Sequence, residues 1–432
     1  MEALLKALKS KIEALAEAGL QSGDFASVSI PQNNYKVPPY KYSLEYGVGP
    51  ITHRVEQGTI SSWVVAVQNG IQQIENTDEF LACAAFPKIY NFMRKIFQNC
   101  FEDGSSGNDE LLNQYILELS GGTAHYHGIA FLGGLTIESD RIEVAEGIII
   151  NKPLPQDIEG AISSDVTNTI WKRLTLQIVA INVENDSDSE DYCMEEIERA
   201  VMILRLFKVS SVKQLSYQCE TNSVSNPHNL HVNIPETETI VETNCILATE
   251  EDRLRGFWSS ISEVITPEFL KGSNSMPIKI AYHHYFEALM AHGLFEKRIA
   301  NIGMGLEALL TTKEPELKYK LSNRAATVLS LISGDSKQIR DFMKDLYDIR
   351  SKYAHGDILS PKEVVKYEKK CGDLNEFLVQ ALDYLRQLIC ASILDKTNTK
   401  DQLIKKIDDS LLSNVDRDTL SAEINIFKNL IC

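Results

Sequence analysis

Residues 337–356, KQIRDFMKDLYDIRSKYAHG, decide the fold of the C-terminal half of this chain. Apolar residues recur along them at three- and four-residue spacing, at Ile339, Phe342, Met343, Leu346, Ile349 and Tyr353. This spacing predicts an amphipathic helix. Arg350 falls on the same stripe, where an arginine is rare unless it is paired or faces an interface.

The end of this helix carries a histidine. Gly356 is a plausible C-cap residue, which would place His355 in or just after the last helical turn. A helix C-terminus favours a protonated imidazole. In a straight helix, residues five apart differ by about 140° in direction. Arg350 and His355 therefore converge only if the helix ends between them, or if they meet residues of a second chain.

The chain on both sides of this segment has helical periodicity. KGSNSMP, at residues 271–277, is the best linker signal. The pattern predicts helices over 280–292, 296–310, 318–332, 337–353 and 361–394, and shorter ones near 400–412 and 419–431. This indicates an all-α bundle over 278–395 and a C-terminal helical tail over 396–432.

Residues 1–270 have a mixed pattern. The first 20 residues predict an amphipathic helix, and helical periodicity returns over 61–74, 78–97 and 193–207. Residues 128–132, 142–144, 174–180, 212–220 and 231–247 resemble strands. The predicted fold class is therefore an α+β N-terminal domain, of sensor or regulatory role, followed by the all-α bundle. A length of 432 residues predicts two to three domains.

Charge is distributed unevenly along the chain. The net charge is −17, which excludes a protein that coats polyanions through its whole surface. Residues 279–395, in contrast, hold 17 basic and 16 acidic residues. The predicted bundle is therefore the part of the chain that can meet a phosphate.

Cysteine usage and hydropathy indicate a compartment. The eight cysteines are scattered without a CxxC pair, which argues against a zinc site and a disulfide framework. Apolar runs are strand-sized, and the N-terminus reads as a helix and not as a signal peptide. The expectation is a cytoplasmic protein with no membrane association, no metal and no cofactor.

Arg350 and His355 form an R-x4-H motif near the end of a long helix. Together with residues 302–310, IGMGLEALL, and 316–324, ELKYKLSNR, the motif resembles the HEPN superfamily, specifically its Apea-like group. The resemblance covers about 295–394, roughly a quarter of the chain. It implies that the predicted bundle is a HEPN domain.

Many HEPN proteins are metal-independent endoribonucleases in which two such motifs face each other across a dimer. The resemblance implies that Arg350 and His355 are catalytic, with Ser351, Lys352 and Tyr353 as supporting or RNA-binding residues. HEPN nucleases often have Asn, Asp or His where this chain has Ser351. Imidazole suits proton transfer, and guanidinium suits the phosphate oxygens. The expected products are a 2′,3′-cyclic phosphate and a 5′-hydroxyl.

The resemblance also implies partners and a biological setting. RNA is the expected substrate, with tRNA as one candidate, and the HEPN domain is expected to form a homodimer. Members of the superfamily act in prokaryotic anti-phage defence or as toxins. The N-terminal domain would then receive a protein trigger or an antitoxin.

Other interpretations stay open. Some HEPN domains are catalytically inactive dimerisation or partner-binding scaffolds; Arg350 would then be a structural ion pair with Asp348 or Glu307, and His355 a helix cap. The pattern also predicts a structural ion pair between Glu307 and Arg324. A third interpretation places an active site in the N-terminal domain, around His125 and His127.

Overall fold

The computed structural model describes a large part of the chain, with gaps that are concentrated in the N-terminal half. The described residues are 5–6, 9–10, 13–14, 92, 95–96, 99–100, 107–119, 125–152, 174–181, 189–221, 230–233, 244–266, 276–290, 293–312, 315–395 and 399–431. Five residues of the predicted linker, 271–275, lie outside this set, and residues 276–277 belong to a helix.

The strands lie in the N-terminal part, as expected for an α+β region. They are β1 (His125–Gly133), β2 (Leu135–Ile137), β3 (Arg141–Ala145), β4 (Ile148–Asn151), β5 (Leu174–Ile181), β6 (Lys213–Thr221), β7 (Leu230–Asn233) and β8 (Asn244–Ile246). Six of them form a sheet in the order β3-β4-β5-β1-β6-β7, in which β4 is antiparallel to both β3 and β5. β2 and β8 form a separate parallel pair.

The described residues are mostly helical. The helices are α1 (Asn108–Leu119), α2 (Ser189–Phe207), α3 (Glu251–Ser262), α4 (Met276–Met290), α5 (Phe295–Leu310), α6 (Leu317–Ile332), α7 (Ser336–Ala354), α8 (Pro361–Cys371), α9 (Leu374–Leu394), α10 (Lys400–Ser410) and α11 (Asn414–Ile431). A strand-containing region followed by helices confirms the predicted order of fold classes. α1 and α3 were not predicted.

The prediction of one helix over 361–394 is wrong, because the chain breaks between α8 and α9. Gly372 has φ +92°, a backbone conformation that favours glycine. Asp373 then caps α9, and its side chain accepts a hydrogen bond from the Glu376 amide at 2.6 Å. A glycine followed by a capping residue was therefore the available sequence signal for this break.

The chain separates into two compact units. One comprises Met1–His127, Val179–Cys193 and Cys219–Leu230, and the other comprises Gly128–Ile178, Met194–Gln218 and His231–Cys432. The second unit, called the main unit below, thus includes residues on both sides of the predicted linker.

The core of the main unit lies around α5, which packs against α4, α6, α7 and α9. Close packing is possible because α5 has glycines at its contacts. A Cβ on Gly305 would lie 2.8 Å from Leu385 Cδ2 and 3.3 Å from the Ala281 carbonyl oxygen. Helix packing therefore explains this glycine, although glycine lowers helix propensity by about 1 kcal/mol relative to alanine.

Helix α9 is buried in the bundle. Among the described residues it is the helix long and apolar enough to cross a membrane, but 67% of its apolar window is buried. Its Arg386, which is 4% exposed, donates to the carbonyl oxygens of Leu206 at 2.8 Å and Ile431 at 3.1 Å. These are the last turn of α2 and the end of α11. The burial and these bonds make α9 a core helix that joins the sheet region to the C-terminal helices.

Candidate functional site

The end of α7 is fixed by its backbone. Asp335 caps the start of the helix by accepting from the Gln338 amide at 2.9 Å. At the other end His355 is the C-cap residue and Gly356 has φ +85°. The amides of Gly356 and Asp357 donate to the carbonyls of Tyr353 and Lys352, both at 3.0 Å, which is a Schellman motif.

This geometry confirms the position predicted for His355. Its side chain is exposed at the point where the helix stops. Because α7 runs through Ala354 and the His355 amide donates to the Ser351 carbonyl at 3.1 Å, the helix is continuous from Arg350 to His355, and the two residues keep the separation of about 140° in direction. Convergence of the guanidinium and the imidazole therefore requires a second chain. The imidazole is thus presented to solvent by a rigid backbone turn.

Arg350 is half-buried and held by a carboxylate of the neighbouring helix. Its Nη2 donates to Glu307 Oε2 on α5 at 2.9 Å, and its side chain is 25% exposed. Within the described part of the chain, Nε and Nη1 have no hydrogen-bond partner. The guanidinium is therefore oriented by one bond and retains donors for a second anion.

The other Glu307 oxygen and Gly303 complete the surroundings of Arg350. Glu307 Oε1 is buried without a hydrogen-bond partner among the described residues. A Cβ on Gly303 would lie 2.7 Å from Arg350 Cγ and 3.2 Å from its Cβ. The glycine is required because the stem of Arg350 lies directly on the backbone of α5. Gly303 thus allows α5 and α7 to pack closely at Arg350.

The loop after the motif, residues 356–360, is anchored at two points. The Leu359 amide donates to Glu296 Oε1, a buried carboxylate, at 2.9 Å. Lys352 Nζ lies 2.7 Å from Glu363 Oε2, which joins the last turn of α7 to the first turn of α8. The bond from Lys352, with further bonds from Ser360, lowers the pKa of the Glu363 carboxyl from about 4.5 to about 2.

Helix α8 is the most basic element near the motif. Its four lysines, Lys362, Lys366, Lys369 and Lys370, are exposed. Two of them, Lys366 and Lys370, pair with the buried carboxylate of Asp345 on α7. The helix that follows the motif thus carries exposed cationic side chains, in a chain whose overall charge is strongly negative.

Ser351, Lys352 and Tyr353 are all half-buried, so none is a fully exposed contact residue. The Ser351 carbonyl oxygen accepts from the His355 amide at 3.1 Å. The structure therefore gives Ser351 a backbone contact with the helix end and Lys352 an ion pair, whereas Tyr353 continues the apolar stripe.

The ion pair predicted between Glu307 and Arg324 is wrong. Arg324, which is 2% exposed, pairs with Asp408 of α10 through Nε at 2.8 Å and Nη2 at 2.6 Å. Its Nη1 donates to the Leu310 carbonyl at 2.8 Å. Asp408 is 84 positions away and follows the bundle in sequence, so spacing could not have identified it. Glu307 is used by Arg350 instead.

The two histidines of the alternative N-terminal site, His125 and His127, lie in β1. Among the residues that the structure describes, no three His, Cys, Asp or Glu side chains gather in a group that could hold a metal ion.

Comparison with protein-family models, with curated proteins and with solved structures finds no match to this chain. The function is therefore argued from the residues around the end of α7.

Proposed function

We propose that this protein is a metal-independent endoribonuclease of the HEPN type that acts as a homodimer. The observation that carries the proposal is that one helix end bears an exposed His355 and, five residues earlier, a half-buried Arg350 that Glu307 orients. An oriented guanidinium with spare donors fits the non-bridging oxygens of a phosphodiester.

In the proposed reaction the 2′-oxygen attacks the adjacent phosphorus, and the bond from phosphorus to the 5′-oxygen breaks. One imidazole removes the 2′ proton, and a protonated imidazole gives a proton to the leaving 5′-oxygen. The two copies of His355 in a dimer divide these roles. Arg350 stabilises the negative charge that develops on the phosphate.

The surroundings of the motif support an RNA substrate. The helix that follows the motif, α8, carries four exposed lysines, and contacts with phosphates supply much of the affinity for nucleic acids. The proposal includes tRNA as a candidate target, a cytoplasmic location and a role in prokaryotic defence or as a toxin. In this setting residues 1–270 would sense a protein trigger or bind an antitoxin.

The test is cleavage of total tRNA by the full chain in EDTA. We compare the wild type with His355→Ala and Arg350→Lys. The lysine keeps a positive charge beside Glu307 but loses the planar fork. His283→Ala and Arg340→Lys are matched controls, since both side chains lie elsewhere on the bundle and are at least partly exposed.

The proposal expects activity in the wild type and in both controls, and a loss of about 10²–10⁴-fold for His355→Ala. Arg350→Lys should also be strongly impaired while remaining folded. Cleavage that is equal in all five proteins, or absent from a folded wild type, contradicts the proposal.

A second candidate is a catalytically inactive scaffold. The ion pair between Arg350 and Glu307 favours it, because this is the contact expected of a structural arginine. Under this interpretation Arg350→Lys changes only the stability and dimerisation of the protein. Absence of cleavage together with a dimer that weakens in Arg350→Lys would support the scaffold.

A further inference from the structure

A pocket of about 440 Å³ lies between α2, β6 and α4 in the main unit. This volume is within the range of small-molecule sites. Its walls are mainly apolar, with Val201, Met202, Ile278 and Phe286 among the lining residues. A lining this apolar favours a ligand with an apolar part over a purely polar ligand such as an inorganic ion.

Arg205 supplies the principal charge in this pocket. Its Nε donates to the Val212 carbonyl at 2.7 Å, its Nη1 to the Tyr282 hydroxyl at 3.3 Å, and its guanidinium lies 4.6 Å from the centre of the Phe286 ring. No carboxylate pairs with it in the described part of the chain, and Nη2 has no partner there. Arg205 is thus a cation held in place by neutral partners among the described residues.

The other ionisable residues of the pocket are arranged around Arg205. Arg199 pairs with Glu196 on its own helix, so its charge is already compensated. Lys279 of α4 also lines the pocket and has an interaction of its own. Glu198 is exposed and lies two helical turns before Arg205, about 10 Å along the axis. The positive charge is therefore concentrated at the Arg205 end.

We propose that this pocket binds a small amphipathic anion, with one carboxylate or phosphate group joined to an apolar or aromatic body. The anionic group contacts Arg205, and the body packs against Met202, Ile278 and Phe286. Charge-assisted hydrogen bonds to a guanidinium give such a group its orientation. This proposal stands independently of the nuclease activity.

The test is isothermal titration calorimetry on the full chain with two anions and their neutral counterparts. Octanoate is compared with octanamide, and adenosine 5′-monophosphate with adenosine. We expect saturable 1:1 binding of at least one anion, at least about tenfold tighter than its neutral counterpart. Binding only of octanoate assigns a carboxylate with an aliphatic body, and binding only of the nucleotide assigns a phosphate with an aromatic body. No binding of either anion, or equal binding of anion and neutral compound, overturns the proposal.

Two variants locate the binding. Arg205→Gln removes the charge, and Ile278→Trp fills the pocket without removing a hydrogen bond of Arg205. Both should weaken binding of the anion at least about tenfold, whereas Arg141→Gln, an exposed arginine of β3, should leave it unchanged. If Arg205→Gln fails to fold, Ile278→Trp decides alone. Unchanged affinity in the folded pocket variants refutes the site.

Discussion

Replacing Gly303 by alanine tests whether the position of Arg350 matters for function. The added Cβ would lie 2.7 Å from Arg350 Cγ, whereas carbon atoms in favourable contact are about 3.5–4.0 Å apart. The clash involves the stem of the arginine and not its flexible end, so the side chain or its helix must move. A displacement of about 1 Å is expected at a guanidinium that one hydrogen bond holds in place.

Two effects of opposite sign set the stability of this variant. Alanine in place of glycine in a helix interior gains about 1 kcal/mol. Overpacking a close contact costs about 1–3 kcal/mol. The free energy of unfolding of Gly303→Ala should therefore fall by about 0–2 kcal/mol, which leaves a folded protein. A misplacement of about 1 Å in a catalytic group can lower the rate about 10²-fold.

The assay compares Gly303→Ala with Gly305→Ala, which lies two residues further along the same helix. Gly305→Ala meets Leu385 at a similar distance, 2.8 Å, but does not touch the motif. We expect RNA cleavage to fall about 10²-fold in the first variant and to stay near wild type in the second. Equal cleavage by the two variants, or a Gly303→Ala protein that is about 1 kcal/mol more stable than wild type, would refute the reasoning.

Three further predictions concern stability and ionisation. Arg386→Met leaves three buried carbonyl groups of α2 and α11 without their donor. Urea denaturation should show a free energy of unfolding lowered by about 3–5 kcal/mol. A loss below about 1 kcal/mol would show that Arg386 does not hold α2 and α11 together. Asp408→Ala removes the carboxylate that accepts two hydrogen bonds from the buried Arg324 and should cost about 3 kcal/mol by the same measurement, with an unchanged midpoint as the opposing result. Because the pKa of Glu363 is lowered, its contribution to stability is present above about pH 4.5 and is lost as the pH falls towards 2. Carboxyl NMR should find this pKa near 2 in the wild type and higher in Lys352→Met, where the bonds from Ser360 still hold it below its ordinary value; a wild-type value near 4.5 is the contrary outcome.

The helices of the bundle were the most predictable part of the fold. The apolar spacing of residues 337–353 identified α7 within one residue at each end, because Gly356 and the stripe both constrain it. The break at Gly372 was missed because the apolar pattern continues from α8 into α9. α3 was missed as well, although it begins with acidic residues and buries Leu254, Phe257 and Trp258.

The candidate site was predictable in its residue types but not in its pairings. The R-x4-H spacing located Arg350 and His355, and Gly356 predicted the helix end. Which carboxylate meets which arginine depends on how helices pack, and it cannot be derived from spacing within one helix. The sequence therefore left Glu307 as a partner for either Arg324 or Arg350. The packing of α5 against α7 decides between the two arginines, because it brings Glu307 to Arg350 and leaves Arg324 to Asp408.

The chemistry of the product ends tests the central claim most directly. Total tRNA is incubated with the purified full chain in EDTA, and the new termini are identified by their reactivity towards polynucleotide kinase and phosphatase. The account predicts 2′,3′-cyclic phosphates and 5′-hydroxyls with the wild type, and no new ends with His355→Ala. New ends that carry a 5′-phosphate, that require Mg²⁺, or that persist in His355→Ala would contradict it.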